Sequence, residues 1–169
     1  MSATHTLRAR SLHWAFVVLY GYGVFKQLDD VSQLEDGELL RFEVGFASLF
    51  LAVLGVRFAY MRRFQALKGA RVLVSAERRR WARSLHGALY LCLAMLPLSG
   101  LSIAGLYSAG IEEGLRMDLV VGLHELCADL SYLLIGLHVA AAVLSRLEGE
   151  GIWSAMVPLW RERAPTDET

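Results

Sequence analysis

Histidine is the residue in this chain best equipped for chemistry, and two of the five histidines are spaced in an informative way. His124 and His138 stand fourteen residues apart in LVVGLHELCADLSYLLIGLHVAAAVLSRL, residues 119–147, a long, mostly apolar stretch without proline. At ~100° per residue, that spacing brings both imidazoles to nearly the same face of a helix, about 21 Å apart along its axis. This is most of the ~30 Å of a bilayer's hydrocarbon core. Neutral imidazole is a common metal ligand, and a polar side chain at membrane depth is a functional candidate by default.

The elements that must carry these residues follow from composition. The chain has 169 residues, enough for one domain over 1–169, with 55% hydrophobic residues and a mean hydropathy of +0.41. Only 20% is charged, and those charges gather in loops and tails, leaving four apolar stretches. A net charge of zero gives no electrostatic footprint for nucleic acid. Cys92 and Cys127 both lie in apolar stretches and read as small core residues, with no disulfide framework.

The four stretches read as membrane helices at about 11–28, 39–60, 84–107 and 119–147. The first follows Arg8 and Arg10 and mimics a secretory signal, but no small-residue cleavage site follows it, so it is read as a retained span. Pro97 is expected to kink the third, which bundled membrane helices tolerate. The segment 61–85 is strongly basic: Arg62, Arg63, Lys68, Arg71, Arg78, Arg79, Arg80 and Arg83 face one Glu77. The positive-inside rule places it, and therefore both termini, in the cytoplasm. The loops at 26–41 and 108–121 are acidic and fall outside. In the tail, Ile152, Trp153, Met156 and Trp160 recur at helical spacing and predict a short interfacial helix on the cytoplasmic surface. The expected fold is all-α, a membrane four-helix bundle with no strands.

Topology gives each histidine a depth. His13, His86 and His138 fall toward the inner leaflet, His124 toward the outer, and His5 in a solvated tail. An inner pair on opposing helices can clamp a flat ligand. Haem iron takes two axial imidazoles across a bundle in this way. The glycines of the spans suit either a macrocycle or close helix packing.

These stretches resemble the bacterial cytochrome b561 family, four-helix haem b proteins of the inner membrane. The resemblance covers all four spans. It rests on SLHW at His13, on HGALYLCLAMLP from His86, and on GLHELCADLSYLLIGLHVAAA with His124 and His138. The HE at 124–125 followed by IGLHVAAA is the most specific part. The resemblance implies an inner haem b held axially by His13 and His138. It implies an outer haem held by His124 and a histidine at the start of span two. That second position, fourteen residues before Arg57, is Glu43. Three fillings of the outer site follow: a Glu43–His124 hydrogen-bonded pair without haem, a haem on His124 with an unusual second ligand or none, or completion by a partner subunit. The first is favoured, because carboxylate is a poor partner for haem b and the pair satisfies two costly polar groups. His86 is read either as a contact to haem propionate or quinone, or as a cap or interface residue. Arg83, Arg80 and Arg10 are candidate propionate partners, since guanidinium suits carboxylate.

The resemblance implies a quinone-linked electron carrier, an oxidoreductase in the broad sense. Some relatives oxidise superoxide and reduce quinone. Capture of an anion favours a positive outer surface, whereas both outer loops here are acidic, which suits a basic periplasmic partner such as a c-type cytochrome. A membrane anchor or assembly subunit, and a metal-ion binder using His13, His86, His138 and Glu43, are the other classes.

Overall fold

The structure, a computed structural model, describes residues 3–26, 31–65, 76–148 and 157. Apart from short turns, chiefly at 109–114, the described residues are helical. Four long helices follow in order: α1 (Ala3–Phe25), α2 (Gly37–Gln65), α3 (Ala76–Ser108) and α4 (Leu115–Leu147), with a short 3-10 turn at Val31–Glu35 ahead of α2. No strand occurs among the described residues, as a chain that must satisfy its backbone within each segment requires.

Three of the helices, α2, α3 and α4, are long and apolar enough to cross a membrane. The expected first span is not among them. The apolar part of α1, residues 12–25, is about 21 Å long at ~1.5 Å per residue, and Arg8, Arg10 and His13 dilute any longer window. Residues 27–28 of that expected span lie outside the described residues, as does the interfacial helix expected at 151–163 apart from residue 157. The other three helices run past their expected limits. Charged residues such as Glu77 and Arg78–Arg80 are good helix formers and continue α3 beyond the apolar stretch by two turns. α3 also runs unbroken through Pro97, whose side chain is buried.

Local chemistry sets the ends. Asp36 caps α2, its carboxylate accepting from the backbone N–H of Glu38 at 2.9 Å and of Leu39 at 3.4 Å. The connection from α3 to α4 turns at Gly110 (φ 75°) and Gly114 (φ 95°), left-handed positions that glycine occupies without cost. Arg78 and Glu148 form an exposed ion pair that ties the start of α3 to the end of α4.

Each helix packs on the next in the chain: α1 on α2, α2 on α3, α3 on α4. Between α1 and α4 no such extensive backbone contact forms among the described residues. Their side of the bundle is closed by side chains, among them the Tyr20 and Ser131 hydroxyls at 2.7 Å. The core sits at mid-height and consists of Phe16, Phe50, Leu54, Leu89 and Leu93, with the Phe16 and Phe50 rings 4.9 Å apart. Large apolar side chains face outward instead: Val18 is 70% exposed, Leu91 67% and Leu133 59%. In water such a surface would be costly. In lipid it is the ordinary exterior, and packing and interhelical hydrogen bonds hold the bundle together.

Candidate functional site

The mid-height core separates two polar regions. At one end three helices bring His13, His86 and His138 together. Each reaches that point from its own helix: His13 in the second half of the N-terminal part of α1, His86 three turns into α3, His138 near the close of α4. The His13 and His138 ring centroids are 6.5 Å apart, and those of His86 and His138 5.1 Å, both edge to face. His86 donates from Nδ1 to the Ala82 carbonyl at 2.5 Å, so its own helix fixes its ring.

His13 Nδ1 is buried and has no hydrogen-bond partner, an arrangement that costs free energy unless a further group completes it. The separation of the His13 and His138 rings is close to that of two imidazoles bonded at ~2 Å to one ion between them. Two imidazoles from separate helices are the donor set of a haem. Among the described residues no group of three or more His, Cys, Asp or Glu is arranged to hold a bare ion. Glu43 lies at the far end of the bundle. The metal-ion reading that joined it to His13, His86 and His138 therefore has no geometric basis.

Arg57 completes this end and was not singled out by sequence as more than the close of a span. Its guanidinium lies over the Phe16 ring at 5.5 Å and the Tyr90 ring at 5.9 Å, so cation–π contacts hold the charge beside the histidines. Phe16 stands one turn after His13, and Tyr90 one turn after His86. Aromatic residues at i+3 and i+4 from two histidines were the available signal. Arg83 and Arg80 are exposed near the start of α3, Arg83 bonding back to the Arg79 carbonyl at 3.3 Å, and Arg10 precedes His13 by one turn of α1.

At the other end all four helices line a cavity of about 280 Å³. Tyr22 comes from α1, Glu43 and Phe46 from α2, Gly100 from α3, and His124 and Tyr132 from α4. Leu34 of the 3-10 turn, buried, closes over it. His124 Nδ1 lies 3.0 Å from the Leu96 carbonyl and 3.0 Å from Ser99 Oγ. The carbonyl can only accept, so Nδ1 carries the proton. Ser99 Oγ itself donates back to α3, to Met95 or Leu96 carbonyls at 2.8 Å. The pairing expected between Glu43 and His124 is thus not formed. The imidazole turns to the backbone of α3, and Gly100 leaves it room: a Cβ there would meet His124 Cε1 at 3.4 Å.

Cys92 and Cys127 are free and buried. Cys92 Sγ donates to the Cys127 carbonyl at 3.1 Å, joining α3 to α4, which is the packing role expected of both.

The family model for prokaryotic cytochrome b561 matches residues 4–159, a range that includes His13, Glu43, Arg57, His86, His124 and His138. No curated protein and no solved structure gives a match.

Proposed function

Since the chain belongs to the prokaryotic cytochrome b561 family, whose members are membrane haem b electron-transfer proteins, we propose that it carries electrons between the quinone pool and a redox partner with one haem held between α1 and α4. The observation that carries this reading is the pair of imidazoles, His13 and His138, 6.5 Å apart on helices whose backbones stay separate. His13 and His138 would hold the haem, one imidazole from each helix. The haem, when bound, supplies a reversible one-electron couple.

The chain's own residues set the conditions for that couple. Phe16, Leu89 and their neighbours exclude water above the ligands. Arg57 places a fixed positive charge beside them, which favours the reduced state. Arg10 and Arg83 stand one turn from His13 and His86, where a carboxylate at the membrane surface can be paired. His86 packs edge to face against His138.

The basic segment orients the histidine cluster toward the cytoplasm of a bacterial inner membrane, with both termini on that side. The opposite end is then periplasmic and carries Glu35, Asp36, Glu38, Glu112, Glu113 and Asp118. This surface suits a basic partner such as a c-type cytochrome and repels superoxide, which disfavours a superoxide oxidase.

The test is an absorption spectrum of the purified protein with a haem count. A Soret band, an α-band that quinol develops, and one haem per chain are the expected result. A colourless protein from haem-replete cells overturns the reading, and a pigment that quinol cannot reduce leaves a membrane anchor.

A further inference from the structure

The cavity at the Glu43 end has no role in holding the haem proposed above, yet all four helices line it and polar groups project into it. We propose that it is a binding site for the ring of a quinol, in the place where the family resemblance puts a second porphyrin. This rests on the reading of the chain as a quinone-linked carrier and assigns the quinol a location.

The donor set comes first. A second haem held across the bundle asks for two imidazoles, and the cavity offers one, His124, facing a carboxylate, Glu43. What these two groups offer instead is hydrogen-bond acceptance. Because His124 gives its Nδ1 proton to the Leu96 carbonyl, its Nε2 holds a lone pair. Nε2 has no hydrogen bond among the described residues, and neither has the Glu43 carboxylate. Two acceptors without hydrogen bonds line one cavity, with Lys26 as the cation nearest Glu43. The complementary ligand brings O–H groups.

The walls narrow the class further. Tyr22 and Phe46, with ring centroids 5.6 Å apart, and Tyr132 give aromatic faces for a flat ring. Glu43 and Glu125 outnumber the one lining cation, Lys26, and the excess negative charge opposes an anion. The bundle exterior is lipid-facing, so a ligand that arrives by lateral diffusion is neutral and apolar apart from its ring oxygens. A hydroquinone meets each of these conditions. An oxidised quinone, whose oxygens only accept, meets the same two acceptors and binds less well.

The experiment uses the purified, haem-loaded protein and the short-chain quinol decylubiquinol under anaerobic conditions, with binding followed by titration calorimetry. The wild type is expected to bind the quinol more tightly than the corresponding quinone, with one haem per chain. Glu43→Leu and His124→Leu should each weaken quinol binding about tenfold or more, while haem content and the position of the Soret band stay unchanged. Glu43→His should abolish quinol binding and raise the haem count to two. Two haems per wild-type chain, or wild-type affinity in Glu43→Leu with its haem intact, overturns the proposal. A wild type without haem defeats the carrier reading itself. A haem-loaded, quinol-reducible wild type that shows no quinol affinity lost in these variants defeats only the location.

Discussion

At the scale of single residues the two ends of α4 make opposite predictions. His138→Ala removes one of the two imidazoles that face each other and is expected to abolish bound haem. His124→Ala removes a ring whose proton goes to a backbone carbonyl, and most of the haem should remain. A pyridine haemochrome assay on both variants checks this pair. Arg57→Met keeps the bulk between Phe16 and Tyr90 but removes the charge. Loss of a fixed cation destabilises the electron-rich state, so the midpoint potential should fall by an amount on the order of tens of millivolts in a redox titration. That His124 and His138 serve opposite ends of the bundle was legible, because helical spacing alone separates them by about four turns. The partner of His124 was not. Its acceptor is a main-chain carbonyl on α3, and a sequence displays side chains, whereas the register of one helix against another decides which carbonyl is in reach. Arg57 was overlooked for a related reason: a lone arginine at the close of an apolar run reads as topology until the rings of Phe16 and Tyr90 are seen beneath it.

At the scale of elements the apolar runs gave the helices and their order but not their lengths. α3 begins eight residues before its expected start, because nothing in its charged first turns breaks a helix and hydropathy measures only the part meant for lipid. α1 shows the converse. Its helix is long, yet its apolar portion is short, and it lends the bundle a histidine, an aromatic face and little lipid-facing length. Two contacts test what holds these elements. Tyr20→Phe removes the hydroxyl pair with Ser131 between α1 and α4 and is expected to cost about 0.6 kcal/mol, as a lowered unfolding midpoint in detergent. Asp36→Ala uncaps α2 and should cost about 1 kcal/mol. Because Leu34 and the 3-10 turn sit just ahead of that cap, the same variant should also loosen the closure over the cavity.

At the scale of the whole molecule the charge pattern and the helix order together give an orientation that a reporter can check. A cysteine placed at residue 70 is expected to resist a membrane-impermeant maleimide in intact spheroplasts with the periplasmic face exposed, whereas one at residue 111 should react. The reverse pattern would invert the depth of every histidine.

The separated backbones of α1 and α4 carry a last consequence. With the rest of the bundle wound as a continuous chain of neighbours, α1 is a hinged leaf, latched on its free edge by a pigment and a few side-chain contacts, the Tyr20–Ser131 hydroxyls among them. Haem-depleted protein should therefore let that leaf swing, and trypsin should cut at Arg8 and Arg10 far faster than in the pigmented form. Cofactor supply would then govern how long each newly made chain survives in the membrane.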